Sequence, residues 1–305
     1  LNILSLVVNL VLAILIAPLL DGLRRKITAR LQNRVGPPIT QSWHDVIKLF
    51  SKESILPEAG GFLFVVVPIL TLVLSLSMFA TMSTVTAQAP IEEGGIIFIE
   101  LVVLSAFTFA IAGSASGNPY GVVGGSREVI LATIVEPSMI ASLVSLVLLR
   151  GSATLDYSTT GYIALLPLLM SGLAYFLCLL AESGRTPFDV AEAESELSGG
   201  PLIEFSGPSL ATLKLGNYLR NLALCSIPAF YISALIAPKL DGVGYSVAVV
   251  IPYLVSLILC TLVLSLAESL NARFRLLEAS RFYGFVLLLS AASLALAYLA
   301  PALGW

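Results

Sequence analysis

The chain has 305 residues, of which 57% are hydrophobic and 11% charged, with a mean hydropathy of +0.97 and a formal net charge of -3. Apolar runs of about twenty residues exceed what a soluble core uses, so the solvent is lipid and the chain reads as an integral membrane protein. The weakly acidic balance offers no basic field for nucleic acid, and a single histidine, His44, leaves imidazole metal sites and Ser/His/Asp catalysis almost without material.

In chain order, hydropathy predicts eight spans, at about 2–20, 62–84, 95–116, 127–149, 161–182, 210–237, 246–268 and 282–303. A strongly basic segment and no small-residue cleavage site follow the first, so it reads as a permanent helix and not a signal peptide. Lys and Arg near span ends are retained on the cytoplasmic side. Fourteen basic residues fall on one side, and only Arg150 and Lys239 on the other. The expected fold is therefore all-α: one polytopic membrane domain over residues 1–305 with eight transmembrane helices, in the plasma membrane, both termini outside and the long loops cytoplasmic.

The first inner loop, residues 21–60, is too polar to span. Within it Trp43, Val46, Ile47 and Phe50 recur at helical spacing, which predicts a cytoplasmic amphipathic helix. The basic residues of this loop, Arg30 and Arg34 among them, carry two readings: a topology signal held to anionic lipid, or a docking surface for a partner protein.

The third span carries Glu100 about one turn from its outer end. The fourth begins with Ser126, Arg127 and Glu128 and holds Glu136 beside Pro137 near its middle. A charge at that depth is costly, and the proline frees a carbonyl one turn earlier, so Glu136 is not expected to face lipid. It is either a hydrogen-bonded structural carboxyl or a station on an ion path.

Residues 182–204 read ESGRTPFDVAEAESELSGGPLIE and concentrate Glu182, Asp189, Glu192, Glu194, Glu196 and Glu204, where random placement of the chain's 19 acids would put about one or two. They lie in an inner loop, residues 183–209, between the fifth and sixth spans. Arg185 follows Glu182 at a spacing that pairs them on a helix, and Asp189, Glu192 and Glu196 recur at intervals of three and four, which would stack them on one face with Glu194 turned aside. Crowded carboxylates titrate as a coupled set and can pass protons when the local field changes. The alternative is a solvated acidic face. Against it, the loop interleaves Phe188, Val190, Ala191 and Leu197 and ends in a Gly-Gly-Pro turn.

Cys178, Cys225 and Cys260 each lie alone in an apolar run, without metal-ligand spacing, and are read as buried thiols. No redox centre is expected in this chain. The last inner loop carries Glu268, Arg273, Arg275, Glu278 and Arg281, ordinary span-end anchors by position. No internal repeat or phosphate-binding glycine loop is evident.

Two stretches, RLQNRVGPPITQSWHDVIKLFSKESILP at 30–57 and AESGRTPFDVAEAESELSGGPLIEFSG at 181–207, resemble the membrane subunit shared by respiratory complex I, where it is called subunit 1, and by membrane-bound energy-converting hydrogenases. The start of the fourth span, GSREVILATIVEP, with RFRLLEASRFYG near the end, looks like the hydrogenase branch, and the whole is most similar to archaeal membrane-bound hydrogenase and sulfane reductase anchors. The resemblance implies that Glu182, Arg185, Asp189, Glu192, Glu194 and Glu196 line a chamber from which a proton relay continues to Glu136. From their places in the sequence, Glu100 is a further relay candidate, Arg127, Arg185 and Arg220 are candidate charge partners, and Arg30, Arg34, Arg273 and Arg275 are candidate docking residues. The resemblance further implies peripheral hydrogenase-like large and small subunits, antiporter-like and small membrane subunits, and iron–sulfur clusters and a nickel–iron site in those partners, driven by ferredoxin.

Three functions follow from this reading. The first is an anchor and proton-relay subunit of an ion-pumping hydrogenase or sulfane-reductase complex. The second is the quinone chamber of a complex I, marked by an apolar tunnel between the first and sixth spans. The third is a stand-alone cation transporter.

Overall fold

The computed structural model describes residues 3–57, 60–82, 93–150, 164–191, 194–236, 243–272 and 274–303. Among them the chain is helical throughout: α1 (Ile3–Leu31), α2 (Gln41–Phe50), α3 (Phe62–Ala80), α4 (Gly94–Ala115), α5 (Pro119–Arg150), α6 (Leu165–Glu182), the single turn α7 (Glu194–Leu197), α8 (Gly207–Ile236), α9 (Val243–Leu270) and α10 (Leu276–Leu303), with a 3-10 turn at Gly200–Leu202.

Seven helices, α1, α3, α4, α5, α6, α9 and α10, are long and apolar enough to cross a membrane, and the chain is a multi-pass membrane protein. The predicted sixth span falls on α8, which is 30 residues long but is interrupted in its first half by Lys214, Asn217, Arg220 and Asn221 and is not among the seven. Several helices outrun their predicted spans, α1 and α5 by the most. α1 continues to Leu31, so Arg24, Arg25, Lys26 and Arg30 ride on its last turns instead of a loop, and α5 begins at Pro119.

One large core joins the bundle: Met78 of α3, Phe98 of α4, Val135 and Met139 of α5, Tyr175 and Leu179 of α6, Leu219 of α8, Leu257 of α9 and Tyr283 of α10 are all nearly or fully buried. Contact between α4 and α5 is close enough to need glycine. A Cβ on Gly113 would stand 2.4 Å from the Gly121 carbonyl oxygen, so these backbones approach without side chains between them. On α2, Ser42 and Val46 face inward, the Trp43 indole N–H donates to the Leu15 carbonyl at 3.2 Å, and Ile47 and Phe50 are exposed.

The loop between α6 and α8 is held on several sides. The Phe188 ring packs against Phe274, Phe282 and Tyr283 at centroid distances of 5.4, 5.7 and 4.9 Å. Phe205 stacks on Phe64 of α3 at 4.1 Å. Gly207, at φ +53, lies so close to the first loop that a Cβ would meet the Glu53 oxygen at 2.3 Å, and the Ile55 N–H donates to Ser206 Oγ at 2.9 Å. The apolar residues interleaved with the acids, Phe188, Val190, Ala191 and Leu197, are buried. That much of the loop is a packed turn and not a solvated tail.

Candidate functional site

At the end of α6 the chain turns sharply, with a cis bond at Thr186–Pro187, and the loop arches over the first half of α8. Between them lies a cavity of about 430 Å³, walled by Glu182, Arg185, Asp189, Lys214, Asn217 and Arg220 and closed by Phe188, Leu202 and Phe205. Arg25 of α1 and Glu128 of α5 also reach it. Polar groups of five elements thus meet in a bundle whose core is mostly apolar.

Glu182, the last residue of α6, is buried and ion-paired with the equally buried Arg220 of α8. The Arg220 guanidinium is held at three points: Nη2 donates to the Glu182 carboxylate, Nη1 to the Glu182 carbonyl at 3.1 Å, and Nε to Ser105 Oγ of α4 at 2.9 Å. A buried ion pair survives only where its remaining donors and acceptors are also satisfied, and this one meets that condition across three helices. Glu136 of α5 lies within electrostatic reach of both charges, and its Oε1 is buried with no hydrogen-bond partner. Orphaned buried carboxylate oxygens are rare in folded proteins, so this one marks a place where a proton or water is expected.

The second charged centre is absent from the predicted site residues, Arg185 apart. Asp21 of α1, almost fully buried, accepts from Arg24 at 2.9 Å, Arg25 at 2.8 Å, Arg185 at 3.3 Å and Ser42 of α2 at 2.9 Å. Arg24 also pairs with Glu268 at the end of α9, and Arg25 reaches Asp45 of α2 at 3.2 Å and the Tyr218 hydroxyl at 3.1 Å. A signal for it exists: Asp21, Arg24 and Arg25 stand at i, i+3 and i+4, the spacing at which helical side chains meet. In the loop that hydropathy predicts over these residues, that spacing carries no meaning.

The other predicted residues are scattered. Glu182 pairs with Arg220 and not with Arg185, because α6 ends at Glu182 and the turn carries Arg185 toward Asp21. Asp189 lies in a described non-helical stretch, so it is not stacked by a helix of its own, while Glu192 falls outside the described residues and the described turn α7 begins at Glu194. Asp189 lines the cavity. Glu196 is exposed and paired with Arg127 at 2.8 Å, and the same Arg127 nitrogen donates to the Val190 carbonyl at 3.2 Å. Glu204 accepts from Asn118 at 2.6 Å, tying the loop to the start of α5. Glu100 is exposed on α4, apart from the cavity, and Arg30, Arg34 and Arg275 are exposed. Glu192, Arg273 and the Glu194 side chain lie outside the described residues. The three cysteines are buried and free, as expected.

Comparison with known proteins agrees with this architecture. The profile of the family described as NADH dehydrogenase matches residues 3–299. The chain is 35% identical to hydrogenase-4 component C of Escherichia coli (strain K12) over 283 residues, covering 88% of this chain and 87% of that protein. It is 34% identical to formate hydrogenlyase subunit 4 of the same organism, covering 86% of this chain and 87% of that one. NADH-ubiquinone oxidoreductase chain 1 of Murina suilla is 33% identical over 71% of this chain and 70% of its own length. The fold matches a chain in the structure of the membrane-bound sulfane sulfur reductase, an archaeal respiratory membrane complex, with a TM-score of 0.84 at 23% identity, covering 97% of this chain and 99% of that one. The chain belongs to the NADH dehydrogenase family of membrane proteins, with relatives in both hydrogenases and complex I.

Proposed function

We propose that this chain is the membrane anchor and proton-relay subunit of a ferredoxin-driven, ion-pumping respiratory complex of the hydrogenase or sulfane-reductase type. The observation that carries the reading is the buried Glu182–Arg220 pair with Glu136, whose Oε1 is buried without a hydrogen-bond partner, within its field. Electron transfer in a peripheral arm above the cavity changes the local charge. Arg220 then shares its charge differently between Glu182 and Glu136, and a proton taken up at the cavity moves to Glu136 and onward into the membrane arm. Iron–sulfur clusters and a nickel–iron site belong to the peripheral large and small subunits in this reading, and antiporter-like and small membrane subunits receive the proton. α8 completes eight crossings, with both termini outside and the acidic loop on the cytoplasmic side of the plasma membrane.

Support for the hydrogenase side comes from coverage: the two hydrogenase-type relatives align with 88% and 86% of the chain, against 70–77% for relatives from NADH oxidoreductases. Replacing Glu136 with Gln in the complex reconstituted into vesicles should leave electron transfer running and abolish ion translocation. Full translocation by that variant would sink the relay.

A second reading, a quinone chamber, has one observation in its favour: a mostly apolar recess of about 50 Å³ between α1, α6, α8 and α9, lined by Ala17, Leu180, Leu222 and Leu264 with Asp21, Arg24 and Glu268 at its charged end. Inhibition of the complex by a quinone-site ligand would support it, and insensitivity would remove it.

A further inference from the structure

Lys214, Asn217 and Asn221 stand at i, i+3 and i+7 on α8 and all line the 430 Å³ cavity. The spacing places them on one face, over about 10 Å of helix. Among the described residues, none of the three side chains takes part in a hydrogen bond or ion pair. Their neighbours behave differently. Arg25 is held by Asp21 and Asp45, Arg185 by Asp21, and Arg220 by Glu182, so each guanidinium on the wall has a carboxylate against it. The Lys214 ammonium is the one cation of the described wall with no carboxylate against it. A row made of one ammonium and two amides, without protein partners and lining one cavity, is free to bond to whatever enters that space.

The chemistry of the row specifies the occupant. An ammonium selects an anion, and side-chain amides offer both donors and acceptors to ester and hydroxyl oxygens. Ser183, Arg185, Tyr218 and Asn221 line both this cavity and the apolar recess between α1 and α9, so the polar space continues into an apolar one. We propose that this face of α8 is a binding site for a phosphate-bearing anion, the headgroup of an anionic phospholipid. The phosphate sits on Lys214, the glycerol and ester oxygens lie along Asn217 and Asn221, and the acyl chains leave the cavity on the side of the recess. The site sits inside the cavity of the proposed relay but does not depend on proton movement, so failure of the Glu136 experiment leaves it standing.

The test uses the purified complex, delipidated in detergent, with bound molecules counted by native mass spectrometry and binding followed by titration. The probes are dihexanoyl-phosphatidylglycerol, dihexanoyl-phosphatidylcholine, inorganic phosphate and decylubiquinone. Phosphatidylglycerol should bind at one per complex, with affinity lowered about tenfold or more in Lys214→Met, the loss expected for one charge-assisted bond, and restored to within about threefold in Lys214→Arg. Asn217→Leu, which keeps the cation, should weaken it less, and this variant guards against misfolding of the lysine variant. Inorganic phosphate binding as tightly, with the same dependence on Lys214, supports the phosphate site and assigns it to a free anion. Equal affinity for phosphatidylcholine, indifference to Lys214→Met in a folded complex, or binding of decylubiquinone alone would each overturn the proposal.

Discussion

Arg185, in the turn after α6, donates to Asp21 on α1 at 3.3 Å, joining positions 164 apart in sequence and fixing the loop over the cavity to the first helix. Asp21 accepts from three guanidiniums and one hydroxyl while almost fully buried. Removing its charge leaves three guanidiniums around a neutral, buried side chain, with Glu268 and Asp45 still paired to Arg24 and Arg25 but no carboxylate at the centre. Asp21→Asn should therefore destabilise the protein by about 3–5 kcal/mol, the range found when one partner of a buried charged group is deleted. Thermal unfolding of the purified complex measures this, and an unchanged midpoint would show that the cluster contributes nothing to the fold.

The Glu182–Arg220 pair gives a sharper test because both members can be neutralised. Glu182→Gln strands a buried guanidinium, and Arg220→Met strands a buried carboxylate, so each single variant should be strongly destabilised. Replacing both removes the mismatch, and the double variant should recover about 1–3 kcal/mol relative to the sum of the singles. Denaturant titrations in detergent close the cycle. Additive losses would mean that the two side chains do not act as a unit.

The spans themselves were legible because about twenty apolar residues in a row have few other structures open to them. Glu136 stood out for a related reason: a charge inside such a run needs an explanation wherever it points; Glu182 stood out as the first of the clustered acids, while Arg220 reads as one more inner-side cation. The α1 cluster was hidden because Asp21, Arg24 and Arg25 occur where hydropathy falls, and a falling hydropathy looks the same whether the chain leaves the membrane as a loop or as two more helical turns. The acidic loop misled in the opposite way. Its spacing of three and four suited a helix, but Pro187 and the anchoring of Phe188 among the α9–α10 aromatics hold Asp189 in a non-helical path. Tertiary packing overrode a local period there, and no local pattern could have shown it.

Backbone contact between α4 and α5 predicts low tolerance at Gly113. A Cβ would fall 2.4 Å from the Gly121 carbonyl, and that atom is backbone, so it cannot swing aside as a side chain would. Gly113→Val should cost about 1–3 kcal/mol or more by forcing the helices apart. Lower yield of assembled complex and an earlier unfolding midpoint are the expected readings.

The buried thiols predict a labelling pattern. Cys178, Cys225 and Cys260 are all buried among helices, so a membrane-impermeant maleimide should modify none of them in sealed vesicles and all of them after denaturation in SDS. Rapid modification of any one in the native state would place it on a water-filled path that the packing does not show.

Glu196 separates the two kinds of acid that the sequence grouped together. Its carboxylate is more than half exposed and pairs with Arg127, which is itself partly exposed, at 2.8 Å, whereas Glu182 is buried and pairs with a buried arginine. An exposed pair contributes less than about 1 kcal/mol, because water screens the attraction and already solvates both ends. A proton on Glu196 also exchanges directly with solvent and has no need of neighbours. Glu196→Gln should accordingly leave stability within about 1 kcal/mol of the parent and ion translocation within about twofold. Glu182→Gln should abolish translocation in vesicles that still transfer electrons. If the two variants lose translocation to the same degree, burial is not what selects the relay carboxylates, and the path must run over the surface of the loop instead of beneath it.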